Sequence, residues 1–529
     1  MKNNLLKAFI AIFLCGSTLF ASANDVYLSA TGNDSNDGTA AATAYATLGK
    51  AIASVSDGGI IYVSGFIYVC DDPTNLPPDG EYYGNGLAIA KNVKIQGSNK
   101  KTDGFLGFNE STYGLSRIFR VNANGVLTLN SLTLRDGLAF NKGGAIHVNG
   151  GAVVAENVNF EDCTAEGVEQ PAGGAIMVDK STGLSFKNCL FKNNKAEKGG
   201  ALYMQDTDNT SAETRFEACS FVNNEASARG GGALFFRIMA EGNKINIINS
   251  TLSTNRTSGN GGVISIYNTP ASTTFNIINT TIVNNLGLSG GGSGGGILVG
   301  ENDKGVNLRI QNSIIEGNTV ASGATSEDLT YFTSYDPATE QLQISNSYIG
   351  NVYVSGARTI NPVCYENSTL YWNYLPRTYD ALSLASGIDN LNTERNVHPL
   401  KAGSSALTYG NATYLQAISI NTDALGQVRA FADGKCSVGA VEGVGIPSGI
   451  QALDAPAGIA VYQKDNQLVV KTVASGNIQL QLYSISGQKV LQQSTIGSEL
   501  TVTTSALQGI YIAKVLVDGH SYVQKVVIK

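Results

Sequence analysis

Through the middle of the chain, apolar residues recur two positions apart: Val153 and Ala155, Leu184 and Phe186, Ile245 and Ile247, Phe275 and Ile277, Leu308 and Ile310, Leu342 and Ile344. Two is the strand period, so each pair predicts a short strand with one face inward, and repetition in register predicts parallel stacking. Two residues beyond each pair stands an asparagine, giving Asn157, Asn188, Asn249, Asn279, Asn312 and Asn346, with Ala218 interrupting the column. Asn130 is assigned to its start, although Leu127 and Leu129 before it sit one place later than the pattern requires. Six residues on, a second column reads Asp136, Cys163, Asn194, Asn224, Asn255, Asn285 and Asn318. A repeat of about thirty residues cannot bury its own apolar face, so the units must stack around one continuous core. Asparagine tolerates left-handed dihedrals and its amide can bond to the same amide one coil away, which places the columns at corners in a structural role.

A second strand per coil follows a glycine pair, at Gly143-Gly144, Gly173-Gly174, Gly199-Gly200, Gly231-Gly232, Gly261-Gly262 and Gly295-Gly296. After each bend come inward candidates two apart, such as Ile176 and Val178 or Leu234 and Phe236. Crossovers between parallel strands are right-handed. The expected fold is therefore all-β, a right-handed parallel β-helix. One short helix is predicted: Leu48, Ala51, Ile52 and Val55 follow helical spacing behind a Thr47 N-cap, and would cover the open N-terminal end of the solenoid.

The ladders stop near Glu442. A linker over 443–458 follows, and 459–529 then alternates as short strands with turns between them, a small β-sandwich. Within 24–442, the expected parts are a cap over 24–70, repeats over 120–355 and a closing coil over 397–442. At the start, Lys2 and Lys7 precede an apolar run from Ala8 to Phe20, and Ala21-Ser22-Ala23 offers a small-x-small cleavage site. Residues 1–23 thus read as a signal peptide, too short in its apolar run to span a bilayer.

Several stretches carry family resemblances. Phe191 to Leu202 (FKNNKAEKGGAL) and Phe221 to Leu234 (FVNNEASARGGGAL) resemble repeats of polymorphic outer-membrane proteins and related β-helix surface proteins. VYLSATGNDSNDGT from Val26, and the segments ending at Asn411 and Glu442, resemble the first and closing coils of secreted bacterial β-helix proteins. The end of the chain resembles the C-terminal sorting domain of the Bacteroidetes type IX secretion system, on Leu482-Tyr483-Ser484-Ile485-Ser486-Gly487-Gln488-Lys489-Val490, Gly509-Ile510-Tyr511-Ile512-Ala513-Lys514-Val515 and the tail Lys525-Val526-Val527-Ile528-Lys529. That resemblance implies the type IX machinery as partner, export across the outer membrane once the signal peptide has directed the chain through the inner one, and a product attached to surface lipopolysaccharide or released.

Composition narrows the function. With 61 Gly, 11 Pro, 15% charged and 43% hydrophobic residues, the chain suits many short strands and turns and is not disordered. A net charge of −7 gives no nucleic-acid footprint. The chain has only three histidines, His147, His398 and His520, and none falls in a triad or metal motif. The signatures of polygalacturonases are missing, and the repeats contain no acidic cluster of the calcium-dependent lyase kind. Asp34 and Asp37 resemble half of a calcium loop, but Ala44 stands where a bidentate glutamate is needed, so a side-chain-capped turn is expected and no cofactor is assigned. Cys189 and Cys219 fall one coil apart, a distance open to a disulfide or to a plain thiol stack, the latter being expected.

The remaining chemistry lies beside the glycine strand. His147, Met177, Tyr203, Phe235, Ser265 and Val299 are expected to point outward, with Asn149, Asp179, Gln205, Arg237, Tyr267 and Glu301 two positions on. Rings next to amides, a carboxylate and a guanidinium suit a sugar, so Tyr203, Phe235, Arg237, Asp179 and Gln205 are the candidate ligand-binding residues; the alternative is that a loop near Glu169 or Asp206 covers the rings. A second aromatic patch runs from Tyr365 through Tyr371, Trp372, Tyr374 and Tyr379, either packed under the closing coil or adhesive. The preferred reading is a non-catalytic adhesin contacting a glycan or host surface; the alternative is a pectate-lyase-like polysaccharide lyase or glycoside hydrolase.

Overall fold

The computed structural model describes residues 24–77, 83–205, most of 212–364, most of 391–443 and most of 459–528; the leader assigned to 1–23 and the Tyr365–Tyr379 patch lie outside the described residues. The chain divides into two compact units, Met1–Val444 and Gly445–Lys529.

The first unit is a parallel β-solenoid. One coil runs through Ala152–Glu156, Asn159–Glu161, Thr164–Glu166 and Ile176–Lys180, and stacking these strands coil upon coil builds four sheets. Among the described residues three of the sheets have 11 strands and the third in chain order has seven. Two strands per coil were expected. The other two are so short that each turns one main side chain inward, such as Phe160 or Ala165, and a single residue cannot display a period of two. At the C-terminal end the last parallel strands are met by antiparallel ones: Val363–Cys364 pairs with Tyr348–Ile349, and Ala357–Ile360 with Val352–Val354. At the other end the helix Leu48–Ser54 begins at Thr47, whose side chain accepts from the Lys50 amide, and buries Leu48 and Ala51. Inside, rings stack along the axis: Phe160 on Phe191 at 4.7 Å and Phe191 on Phe221 at 4.6 Å.

The corner column is present, with Asn157, Asn188, Asn249, Asn279, Asn312 and Asn346 all between φ +46° and +58°. Asn130 does not belong to it. It pairs with Glu156 inside the first sheet, and Ser131, at φ +54°, takes the corner. The early apolar pair had signalled this one-residue offset. Asp136 likewise pairs with Asp162 in φ and position, leaving Gly137 level with Cys163.

The second column turns inward and is wholly buried. Asn194, Asn224, Asn255, Asn285 and Asn318 each use Nδ2 and the backbone N–H to bond the Oδ1 of the next member, at 2.7–3.2 Å, and Asp328 receives the last pair. Each Nδ2 also donates to a strand carbonyl one coil back, as Asn224 does to Phe191. The glycine pairs do two different things. The first of the pair sits at positive φ in four bends (Gly143, Gly173, Gly199 and Gly231, at +56° to +66°), while a Cβ on Gly174 would lie 2.2 Å from the Gly200 carbonyl oxygen, so the second is fixed by backbone contact between coils.

Residues 397–442 do not close a coil. They lie as a strap across the outside of the corner between the first two sheets. Ala412, Leu415, Ile420 and Cys436 cover Ile248 and Ile278, while Leu400, Ala406 and Val438 cover Val283, Ile314 and Tyr348. The reason is that these coils turn apolar side chains outward as well as inward, which requires a cover. Ladder amides dock the strap: Asn249 Nδ2 donates to the Thr422 carbonyl, Asn312 Nδ2 to that of Asn411, and Asn346 Nδ2 to that of Tyr409. Arg429, buried, donates to Asn249 Oδ1, to the Gly439 carbonyl and to Glu442 at 3.0 Å.

Cys189 and Cys219 are free and buried. Each thiol donates to the carbonyl two residues back, in the way that Ser250, Thr280 and Ser313 hydroxyls do further along the same column. Burial and the neighbouring Cys189 push the Cys219 thiol well up, so it is protonated. Asp34 accepts from the Ala46 and Thr47 amides and the Thr47 hydroxyl, and Asp37 from Thr39 and Thr43, both as turn caps.

The second unit is antiparallel, as expected, and its five strands among the described residues are Ile459–Lys464, Gln467–Ser484, Lys489–Thr503, Gly509–Val517 and His520–Ile528. Two expected strands are merged in Gln467–Ser484, whose pairing shifts register between Lys471 and Gly476. Its first half faces Ile459–Lys464 and its second half Gly509–Val517, around one core that includes Leu468, Val470, Leu480, Leu482, Val515 and Ile528.

Candidate functional site

The register of the fourth sheet aligns His147, Met177, Tyr203, Phe235, Ser265 and Leu298 in one outward column; Val299 is an inward residue, one place from its expected position. Met177, Tyr203 and Phe235 form a buried cluster with Ala172, and the two rings stack at 5.1 Å. Tyr203 is 3% exposed and Phe235 6%. They are therefore packed within the protein and not displayed, because the glycine bend folds the residue before it back beside the strand after it. The polar column two positions on does reach the surface: Gln205 and Arg237 are half-buried and Tyr267 is exposed. Glu301 lies outside the described residues.

Asp179 joins a network that sequence reading missed. Its Oδ2 accepts from Lys142 Nζ at 2.6 Å and from His147 Nε2 at 2.8 Å. Lys142 holds the position of Ala172 one coil earlier, which explains how a residue just before the bend meets one on the next strand. Burial pushes His147 below its ordinary value, so it is a neutral donor near pH 7, and the ion pair of Asp179 is with Lys142. Burial pushes Asp179 up, but the two hydrogen bonds outweigh it and hold the carboxyl at about 2.

These directions fix a pH profile. Asp179 stabilises the fold above the unfolded carboxyl value near 3.8, and that contribution is lost as pH falls towards 2. His147, lowered on folding, removes stability as pH falls through 6.5, where the unfolded chain takes up a proton first. Asp179→Asn should lower stability by about 2 kcal/mol at pH 7 and make the fall in stability between pH 4 and 2 shallower, the remainder coming from Asp34, Asp37 and Asp103, which hydrogen bonds also hold below the ordinary carboxyl value. Thermal melts of both proteins across pH 2–8 check this; parallel curves in the acid range would contradict it.

A separate concave surface lies where the second sheet turns into the third. The groove, of about 610 Å³, is open and polar. One wall is a left-handed corner column, Asp162, Asn193, Asn223 and Thr254; the other is a strand column, Thr164, Lys195, Glu225 and Arg256. Asn193 Nδ2 donates to Asp162 Oδ1 at 2.9 Å, and Arg256 to Glu225 at 2.7 Å. These residues flank Cys163 and the buried asparagines 194, 224 and 255. With the middle residue turned inward, both of its neighbours must face out. The sequence signal was thus present in the second column, one place to either side.

Among the described residues no group of three or more His, Cys, Asp or Glu side chains is arranged to hold a metal ion. No curated protein matches the chain. Residues 464–529 match the family described as the Secretion system C-terminal sorting domain. The C-terminal unit is a secretion-system sorting domain. The match contains all three segments that carry the type IX resemblance, and it falls wholly within the five-stranded unit. The chain is thus a parallel β-solenoid followed by a type IX sorting domain, which makes it an exported protein, at the cell surface or secreted, that engages the type IX machinery.

Proposed function

We propose that the solenoid is a non-catalytic adhesin or glycan-binding protein that holds an extended, hydroxyl-rich chain in the groove beside Asn194, Asn224 and Asn255. The supporting observation is periodicity: two columns of hydrogen-bonding side chains repeat at one coil spacing, roughly 4.8 Å, along the solenoid axis. A polymer with repeating polar units can meet equivalent donors and acceptors at successive coils, and Lys195, Glu225 and Arg256 alternate in sign so that no net charge on the ligand is required. Gln205, Arg237 and Asp179 on the fourth sheet offer a second polar strip, with Tyr203 and Phe235 supporting it from beneath. After export, attachment to surface lipopolysaccharide would display the groove, and a glycan or host surface would be its target.

The test is retention of the mature protein on immobilised plant and host glycans, with and without calcium, while assaying unsaturated and reducing-end products. Lys195→Ala combined with Arg256→Ala should weaken retention at least tenfold, the loss of about 1.4 kcal/mol or more from charge-assisted hydrogen bonds, without changing the melting temperature by more than a few degrees. Unchanged retention would remove the groove from consideration. The second reading, a polysaccharide lyase or hydrolase, is favoured by one observation, the neutral His147 held by Asp179 beside Lys142, which is an acid/base arrangement. Product release that disappears in Asp179→Asn would establish it in place of the first.

A further inference from the structure

The sorting-domain sheet presents three outermost strands, and they are not equally protected. Ile459–Lys464 is six residues long, and His520–Ile528 carries Lys525 within it. Lys489–Thr503 is 15 residues long and, among the described residues, pairs along one side only, with Gln467–Ser484. Natural sheets blunt such edges with short strands, charges, proline or bulges, because a row of unpaired N–H and C=O groups templates another strand. Here the nine residues between Lys489 and Glu499, VLQQSTIGS, include no charge and no proline. Their register is unbroken from Leu491 to Gly497, so no bulge interrupts that stretch. Gln492, Gln493 and Ser494 are exposed, and Ile496 is 86% exposed.

A long, uncharged, unbulged edge with an apolar side chain in the open is a hazard unless something is meant to pair with it. In a domain whose task is recognition by an export apparatus, that something is at hand. We propose that the outer edge of Lys489–Thr503 is the recognition element of the sorting domain, and that a type IX component docks by adding an extended segment of its own as a sixth strand. Backbone hydrogen bonds would supply most of the affinity, and the uncharged row with Ile496 would select a segment of apolar and uncharged polar side chains. The absence of charge also means that docking should depend little on salt.

The test uses the full-length chain in a type IX-competent cell. Gln492, Ser494 and Ile496 lie on one face at alternate positions, so Gln492→Lys, Ser494→Lys and Ile496→Lys together place three charges along the edge without touching the core. The expected result is at least a tenfold drop in exported protein, with uncleaved chain accumulating in the periplasm and an unchanged melt of the purified chain. The matched control, Ala460→Lys with Tyr462→Lys on the short edge strand, should export normally. Ser494→Lys alone, the mildest change, should shift export in the same direction and keeps the test valid if the triple variant folds poorly. Wild-type export of the triple variant would overturn the proposal, as would equal loss in the control. A concentration-dependent dimer of the wild-type chain, abolished by the lysines while export stays normal, would also overturn it and give the edge to a second copy of this protein.

Discussion

Asn255→Ala is expected to destabilise the solenoid by about 4 kcal/mol, a large effect for a residue that does not itself line the groove. The Asn255 side chain accepts from both the N–H and the Nδ2 of Asn224, and donates to the Phe221 carbonyl and to Asn285 Oδ1, all in a buried column. Alanine leaves two donors and a carbonyl without partners and opens a void the size of an amide. At about 1–3 kcal/mol for each buried group left unsatisfied, the sum reaches about 4 kcal/mol even if neighbours partly relax. The contrast is Asn188→Ala on the outer corner. Its amide makes one bond, to Asn157 at 3.3 Å, in an exposed setting, and Ala218 already occupies the same column at φ +53°. That change should cost about 1 kcal/mol, mostly from the left-handed backbone. Denaturant unfolding of both variants separates the columns; equal costs would mean that the buried ladder carries no special weight.

Arg429→Ala should release the strap. The guanidinium is buried, bonded to Glu442, to Asn249 of the corner column and to the carbonyls of Gly439 and Ala440. Removing one member of a buried pair costs about 3–5 kcal/mol because the carboxylate stays behind without its partner. The loss should be local first. Amides such as those of Val438 and Gly439, which bond across the strap and to the solenoid, should exchange with solvent at least a hundredfold faster, while the ladder amides of Asn194 and Asn224 keep their protection. Loss of protection in both places at once would show that strap and coils unfold as one.

The repeat was legible because a strand with two inward residues writes its period into the sequence, and because left-handed corners select asparagine. Legibility failed where a strand has only one inward residue, as at Asn159–Glu161, and where one coil is offset, as at Asn130 and Ser131. It failed differently for Tyr203 and Phe235. Alternation says which side of a strand a ring occupies, but the cover comes from a residue across the glycine bend, and Ala172 carries no signal of that role. The Lys142–Asp179 contact was hidden for the same reason, since it joins consecutive coils through a bend. Residues 397–442 were recognisable as the end of the solenoid, yet sequence resemblance to a closing coil did not reveal that they run along its flank.

That flank placement changes how the solenoid bears load. A plain stack gives way one interface at a time, since each coil holds only its neighbours. Across the coils that contain Ile248, Ile278, Ile314 and Tyr348, however, a single segment is fastened to every one of them. Peeling from that end must shear all of those attachments together, whereas the coils nearer the N-terminus can still unzip singly. A chain folding from its N-terminus would lay down its coils reversibly and become mechanically locked only when residues 397–442 arrive, as a splint is tied after the bone is set.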